Sequence, residues 1–184
     1  MIVPNESVPA VFLDRDGTLM EEVNYCSDPK QVKVFPGVPG ALERMKARGY
    51  KLIVISNQAG IGRGYFTEEQ YRAVEAELAR AILPATLDAT YFCPDHPDRP
   101  TNRRKPAPGM VLEAQRDHRI DLARSFFIGD KAIDIECGRN AGVRTILVKT
   151  GYGANEHAQS GANWIAEDLR EAAAIVLRES DPVA

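Results

Sequence analysis

Cysteine is scarce in this chain, and none of it forms a Cys-x-x-Cys pair. The 184 residues hold three, Cys26, Cys93 and Cys137. That odd count argues against a disulfide framework and points to a reducing, cytoplasmic setting. Long apolar runs are missing: nothing approaches the ~20 residues that a membrane-spanning helix requires, so no membrane partner is expected. Residues 1–10 show no basic stretch followed by a long apolar run, and no signal peptide is expected. An excess of positive charge is also missing. The net charge is -3, whereas a nucleic-acid-binding domain is usually basic, so no nucleic-acid partner is expected. Histidine is rare, and His96, His118 and His157 are scattered, which reads as surface rather than ligand. No internal repeat or low-complexity segment is present.

What remains is the composition of a soluble globular protein, 44% hydrophobic and 27% charged, long enough for one domain spanning residues 1–184. Five short apolar runs, Ala10–Leu13, Leu52–Ile55, Ala89–Phe92, Ser125–Ile128 and Thr145–Val148, show little polar alternation. Strands buried on both faces of a parallel sheet look like this. Between them lie helical stretches. Val38–Arg48 carries Ala41, Leu42 and Met45 at helical spacing and stops at Gly49. Thr67–Ile82 opens with a capping-box pattern, Thr67-Glu68-Glu69-Gln70. Pro108–His118, Asp134–Ala141 and Glu167–Arg178 complete the set. The alternation predicts an α/β fold, a Rossmann-like open and mainly parallel sheet with helices on both faces. The Pro-, Asp- and Arg-rich stretch 94–108 reads as a long loop of the functional kind.

In such sheets ligands bind beyond the carboxyl ends of the strands. Three polar clusters fall there: Asp14-Arg15-Asp16-Gly17-Thr18, Ser56-Asn57-Gln58, and Gly129-Asp130-Lys131 with Asp134 one turn on. Asp14 and Asp16 stand two apart at a strand end and so point the same way. Carboxylates held close need a cation or a shared proton. Magnesium takes oxygen ligands and keeps positions open for phosphate and water. Asp130 offers a third carboxylate. Lys105 and Ser56 are candidates to screen and hold a phosphoryl group, which a carboxylate nucleophile cannot otherwise approach.

These motifs, in this order, resemble the four motifs of the haloacid dehalogenase superfamily. Phe12–Thr18, Ser56–Ile61, Tyr91-Phe92-Cys93-Pro94, Arg104-Lys105-Pro106 and Ile128–Lys131 resemble the D-glycero-D-manno-heptose 1,7-bisphosphate phosphatases, with histidinol-phosphate phosphatases as close relatives. The likeness covers roughly residues 8–178. It implies a magnesium-dependent phosphatase without a large cap domain, to which the short Asp14-to-Ser56 separation conforms. By this resemblance Asp14 is the nucleophile and a metal ligand. Asp16 is the acid/base and reaches the metal through its carbonyl. Asp130 is a metal ligand. Ser56 and Lys105 hold the phosphoryl group, Asn57 and Arg104 contact phosphate or sugar, and Lys131 and Asp134 support the site. The implied reaction removes the 7-phosphate of the heptose bisphosphate in envelope lipopolysaccharide synthesis. The implied partner is a small phosphorylated sugar, and the implied state a monomer.

The chain departs from the family in one place. The family loop binds zinc through Cys-x-His and Cys-x-Cys, but here only Cys93 is kept. Asp95 stands at the histidine position, and Thr101 and Arg103 stand at the later cysteines. No structural zinc is expected. Taken singly, each cluster has a plainer explanation: a solvated turn at Asp14–Gly17, a turn cap at Ser56, a surface Lys105, a helix cap at Asp130 and Asp134. It is their order along the chain that favours catalysis. Gly60-x-Gly62-x-Gly64 is expected to be a flexible turn, Arg103 a surface residue, Cys26 and Cys137 packing residues, and Trp164 part of the core. Competing readings are histidinol phosphate hydrolysis, a polynucleotide 3′-phosphatase, which the net charge disfavours, and a non-catalytic phosphosugar-binding protein.

Overall fold

A computed structural model describes residues 7–180, so the expectation of no leader falls mainly on residues outside the described ones. Six strands, β1 (Ala10–Leu13), β2 (Lys51–Asn57), β3 (Ala89–Cys93), β4 (Phe126–Gly129), β5 (Arg144–Val148) and β6 (Trp164–Ala166), form one sheet. Their spatial order is β3-β2-β1-β4-β5-β6, and every neighbouring pair is parallel. Seven α-helices accompany them among the described residues: α1 (Val38–Ala47), α2 (Ala59–Gly62), α3 (Glu68–Ala81), α4 (Gly109–His118), α5 (Ala132–Ala141), α6 (Gly153–Glu156) and α7 (Leu169–Glu179). None is long and apolar enough to cross a membrane.

The five apolar runs are the first five strands. Alternate side chains of β1, β2 and β4 enter opposite cores, which is why those runs lack polar alternation. Val11, Leu13, Leu52, Val54, Phe126 and Ile128 face one layer, packed with α1, α3 and α7. Ala10, Phe12, Ile53, Ile55 and Phe127 face the other, with residues of α4 and α5. β3 is an edge strand and only partly buried, and its weak sequence signal follows from that. β6 was not expected: it has three residues, too few to show a period. Trp164, in β6, packs against the core.

The capping box at Thr67 forms in both directions, with Thr67 Oγ1 accepting from Gln70 N–H at 3.2 Å and Gln70 Oε1 accepting from Thr67 N–H at 2.9 Å. The glycine run after β2 differs in part from expectation. Gly60 and Gly62 lie in the helical turn α2, where a Cβ at Gly60 would strike the Phe66 ring and one at Gly62 the backbone at Pro94 and His96, while Gly64 follows in a turn at φ +73° with open space around it. Gly60 and Gly62 serve close packing rather than a free turn.

The strand order reverses direction at β1, whose neighbours are β2 and β4. That is the topological switch point, where the loops after adjacent strands part and open a crevice. The polar clusters after β1, β2 and β4 all open into it.

Candidate active site

Asp14 directly follows β1, its backbone N–H donating to Ile128 O of β4 at 3.0 Å. The next residues fold back sharply. Arg15 O receives the N–H groups of Thr18, Leu19 and Met20, and Gly17 N–H reaches Met20 O at 2.8 Å. Gly17 adopts φ +83°, and a Cβ there would overlap the Asp130 carboxylate. Only glycine lets the loop after β1 lie against the loop after β4.

Asp14, Asp130 and Asp134 are buried, and each offers a carboxylate oxygen within 4.8 Å of the others. Lys105, 4% exposed, arrives from the long loop and ends among them. Its Nζ lies 2.7 Å from Asp14 Oδ1, 2.6 Å from Asp134 Oδ1 and 2.8 Å from Ile55 O. Burial works against its charge, but Asp134 and Asp14 outweigh that and hold its pKa above the ordinary lysine value. Asp134 also accepts from Lys131 N–H at 3.1 Å, so it caps α5 and pairs with Lys105 at once. Burial pushes its carboxyl up, against the pull of Lys105.

Asp130 Oδ2 accepts from Tyr152 N–H at 2.9 Å, while Oδ1 is buried with no hydrogen-bond partner. Burial, then Asp14, then Asp134 raise its pKa well above the carboxylate range. A bare carboxylate oxygen beside two other carboxylates is costly unless a cation takes it. Oxygen donors of this kind suit a hard divalent ion such as magnesium, and the residues fit that group.

Asp16 is half-buried and faces an open cleft that Asp14, Lys105 and Lys131 also line. Its carboxylate accepts from Arg15 Nε at 3.0 Å, Arg15 Nη2 at 3.1 Å and Gln58 Nε2 at 3.1 Å. Ser56 is buried beneath Gln58 and accepts from its Nε2 at 2.7 Å. The hydroxyl proton of Ser56 is thereby left to donate elsewhere. Lys131 lines the cleft, pairs with Glu22 at 3.0 Å, and lies 4.6 Å from the Tyr152 ring centroid. Burial opposes its charge, but Asp14 and Glu22 raise its pKa on balance.

Two expected contacts take another form. Asn57 uses both ends of its amide on the Lys105 backbone, at 3.1 and 3.0 Å. It clamps the lysine loop to the end of β2. Arg104 donates to Asp95 O at 3.3 Å and is not among the residues that line the cleft. Arg103 lies at the surface, its side chain 37% exposed and paired with Glu113 at 2.9 Å. Four further residues at the site had no assigned part: Arg15 and Gln58, which the quoted motifs contained, and Tyr25 and Tyr152. Tyr25 lines the cleft at φ +56°, a backbone state no sequence pattern announces.

At Asp95, Thr101 and Arg103, hydrogen bonds hold the loop. Asp95 Oδ2 accepts from Thr101 N–H at 2.7 Å and Thr101 Oγ1 from Arg103 N–H at 3.2 Å. Cys93 is buried and its thiol is pushed up to about 11, chiefly by burial.

The family described as "HAD-hyrolase-like" matches residues 102–172. The D-glycero-beta-D-manno-heptose-1,7-bisphosphate 7-phosphatase of Yersinia pestis is 37% identical over 176 residues, 90% of this chain and 94% of that one. The D-glycero-D-manno-heptose-1,7-bisphosphate 7-phosphatase of Thermosynechococcus vestitus is 42% identical, over 89% of this chain and 93% of that one. Among solved structures, a D,D-heptose 1,7-bisphosphate phosphatase from B. bronchiseptica, complexed with magnesium and phosphate, superposes with a TM-score of 0.87. It is 30% identical, over 94% of this chain and 99% of that one.

Proposed function

Because the chain belongs to the heptose-1,7-bisphosphate 7-phosphatase family of haloacid dehalogenase-like hydrolases, we propose that it removes the 7-phosphate of D-glycero-D-manno-heptose 1,7-bisphosphate through an aspartyl-phosphate on Asp14. The observation that carries this reading is the buried constellation of Asp14, Asp130, Asp134 and Lys105 at the switch point of the sheet.

Asp14 and Asp130, with the carbonyl of Asp16, are the groups that would hold magnesium, which when bound screens the charge of the phosphate. Lys105 fixes the Asp14 carboxylate through Oδ1 and supplies positive charge from the other side. Asp14 attacks phosphorus, the ester bond breaks, and Asp16 gives a proton to the departing sugar oxygen. Asp16 then takes a proton from water as that water attacks the phospho-Asp14 and frees phosphate. Ser56 donates its free hydroxyl proton to a phosphoryl oxygen. Asn57 acts through Lys105, whose backbone it holds. Lys131, paired with Glu22, places a second cation at the sugar side of the cleft. On the same reading the enzyme is a single-domain cytoplasmic monomer. It acts on a small phosphosugar, without nucleic-acid or membrane partners, and carries no structural zinc in its 93–105 loop.

The test is phosphate release from the α- and β-heptose 1,7-bisphosphates and from histidinol phosphate, with magnesium, beside Asp14→Asn. Preference for a heptose bisphosphate, lost in the variant, is expected. Preference for histidinol phosphate would sink the substrate assignment. Turnover that survives Asp14→Asn would sink the mechanism.

A further inference from the structure

We propose that Arg15 is the positioning residue for Asp16, and that it leaves one acceptor site, on Oδ1, for the proton that Asp16 passes during turnover. The proposal rests on the assignment of Asp14 and Asp16 above.

Arg15 is 1% exposed and heads the fully buried side chains by volume. A guanidinium sealed from water needs partners that hold its charge. Its partner is its own neighbour in sequence: Nε donates to Asp16 Oδ2 at 3.0 Å and Nη2 to Asp16 Oδ1 at 3.1 Å, with Nη2 also 2.9 Å from Oδ2. Behind it, the guanidinium carbon sits 5.2 Å from the centroid of the buried Tyr71 ring, whose hydroxyl donates to Glu75. The fork is therefore braced from the far side by α3, while Arg15 O anchors the loop by taking three backbone N–H groups.

A carboxylate has about four acceptor sites, two on each oxygen. The two bonds from Arg15 take one on each, and Gln58 takes the second on Oδ2. One remains, on Oδ1. In the first half-reaction the proton on Oδ1 moves to the leaving oxygen as the phosphorus–oxygen bond breaks. In the second, a water proton returns to Oδ1 as the water oxygen bonds to phosphorus and Asp14 departs. The nucleophile and the acid/base thus have separate cations, Lys105 for Asp14 and Arg15 for Asp16. Fixing the fork fixes the proton's path.

The experiment compares Arg15→Lys, Arg15→Met and Asp16→Asn with the unaltered enzyme, in magnesium. It reads kcat/KM for aryl phosphates whose leaving groups run from dinitrophenol to phenol, and folding by circular dichroism and thermal melting. An acidic phenol leaves without a proton and phenol does not. The Arg15 variants are therefore expected to lose about 10²-fold on phenyl phosphate and under about 3-fold on dinitrophenyl phosphate, with the slope of Asp16→Asn. Equal losses along the series, or none, would overturn the proposal and leave Arg15 a core residue only. If Arg15→Met does not fold, Arg15→Lys, which keeps the charge and loses the fork, carries the same comparison. Asp14→Asn is run on every substrate. Turnover in that variant would overturn the underlying reading and this proposal with it, whereas its silence with parallel Arg15 losses overturns the proposal alone.

Discussion

Replacing Lys105 by methionine keeps most of the side chain's volume and removes its charge. The structure indicates what that costs. Three carboxylates, Asp14, Asp130 and Asp134, share a buried space with the ammonium groups of Lys105 and Lys131. Lys105 alone touches two of the three acids and the Ile55 carbonyl. Without it three acids face one cation, and three acceptors lose a charged donor. Breaking a buried pair in this way costs about 3–5 kcal/mol, because the partner is left uncompensated. In a domain of this size that lowers Tm by about 6–20 °C. The loss depends on pH with a definite sign. The Asp130 and Asp134 carboxyls are already raised by burial, and Lys105 is what pulls Asp134 down. Removing it raises Asp134 further. A carboxyl with a raised folded pKa is more protonated in the folded state than in the unfolded. Stability then falls as pH climbs from the ordinary carboxylate value through the raised one. Urea unfolding of the metal-free variant at pH 5.5 and pH 8 should show the larger deficit at pH 8. A deficit under about 1 kcal/mol at pH 8, the size of a surface pair, would refute the buried-network argument.

The same carboxyls predict that magnesium binding near pH 7 releases protons, since the ion requires ionised ligands that burial holds partly protonated; titration in weak buffer should show acidification that Asp130→Asn diminishes. Gly17→Ala should destabilise the fold by about 1–3 kcal/mol through its positive φ and weaken magnesium binding by displacing Asp130, measured by calorimetry and melting with and without the ion. Asn57→Ala removes both bonds to the Lys105 backbone and should lower kcat more than it raises KM, at a stability cost of about 1–3 kcal/mol for the polar groups left unpaired.

The sheet was legible because β1, β2, β4 and β5 are buried on both faces and so show as apolar runs. β6 was not, since three residues at the sheet edge carry no period, and β3 showed weakly for its partial exposure. Asp14, Asp130 and Lys105 were legible because their chemistry has few other uses in that order. The partners of Asn57 and Arg104 were not, because residue type states what a side chain can bond and never which way it points. Asn57 has the same amide whether it faces a phosphate or the Lys105 backbone. Asp134 was read as a cap or a supporting acid, and the structure makes it both, through Lys131 N–H and Lys105 Nζ. Arg15 lay inside the quoted motif without a role, and only the folded loop shows it turned inward onto Tyr71.

The order of the strands explains why so few residues suffice. β1 lies centrally, between β2 and β4, so the loop after it touches the loops after both. Gly17 meets Asp130 on one side, Gln58 reaches Asp16 on the other, and Thr150 Oγ1 donates to Gly17 O at 2.6 Å from beyond β5. Lys105 comes from the segment after the edge strand β3, the farthest in space from β4. It needs the Asn57 clamp to reach Asp134 across β1. A lysine on a long loop pays rotamer entropy to be held, and a flexible loop would leave it in water. The hydrogen bonds of Asp95, Thr101 and Arg103 stiffen that loop from its far end, and Asn57 pins it at the near one. Loosening either end should therefore act on the same quantity, the fraction of molecules in which the Lys105 ammonium lies between Asp14 and Asp134.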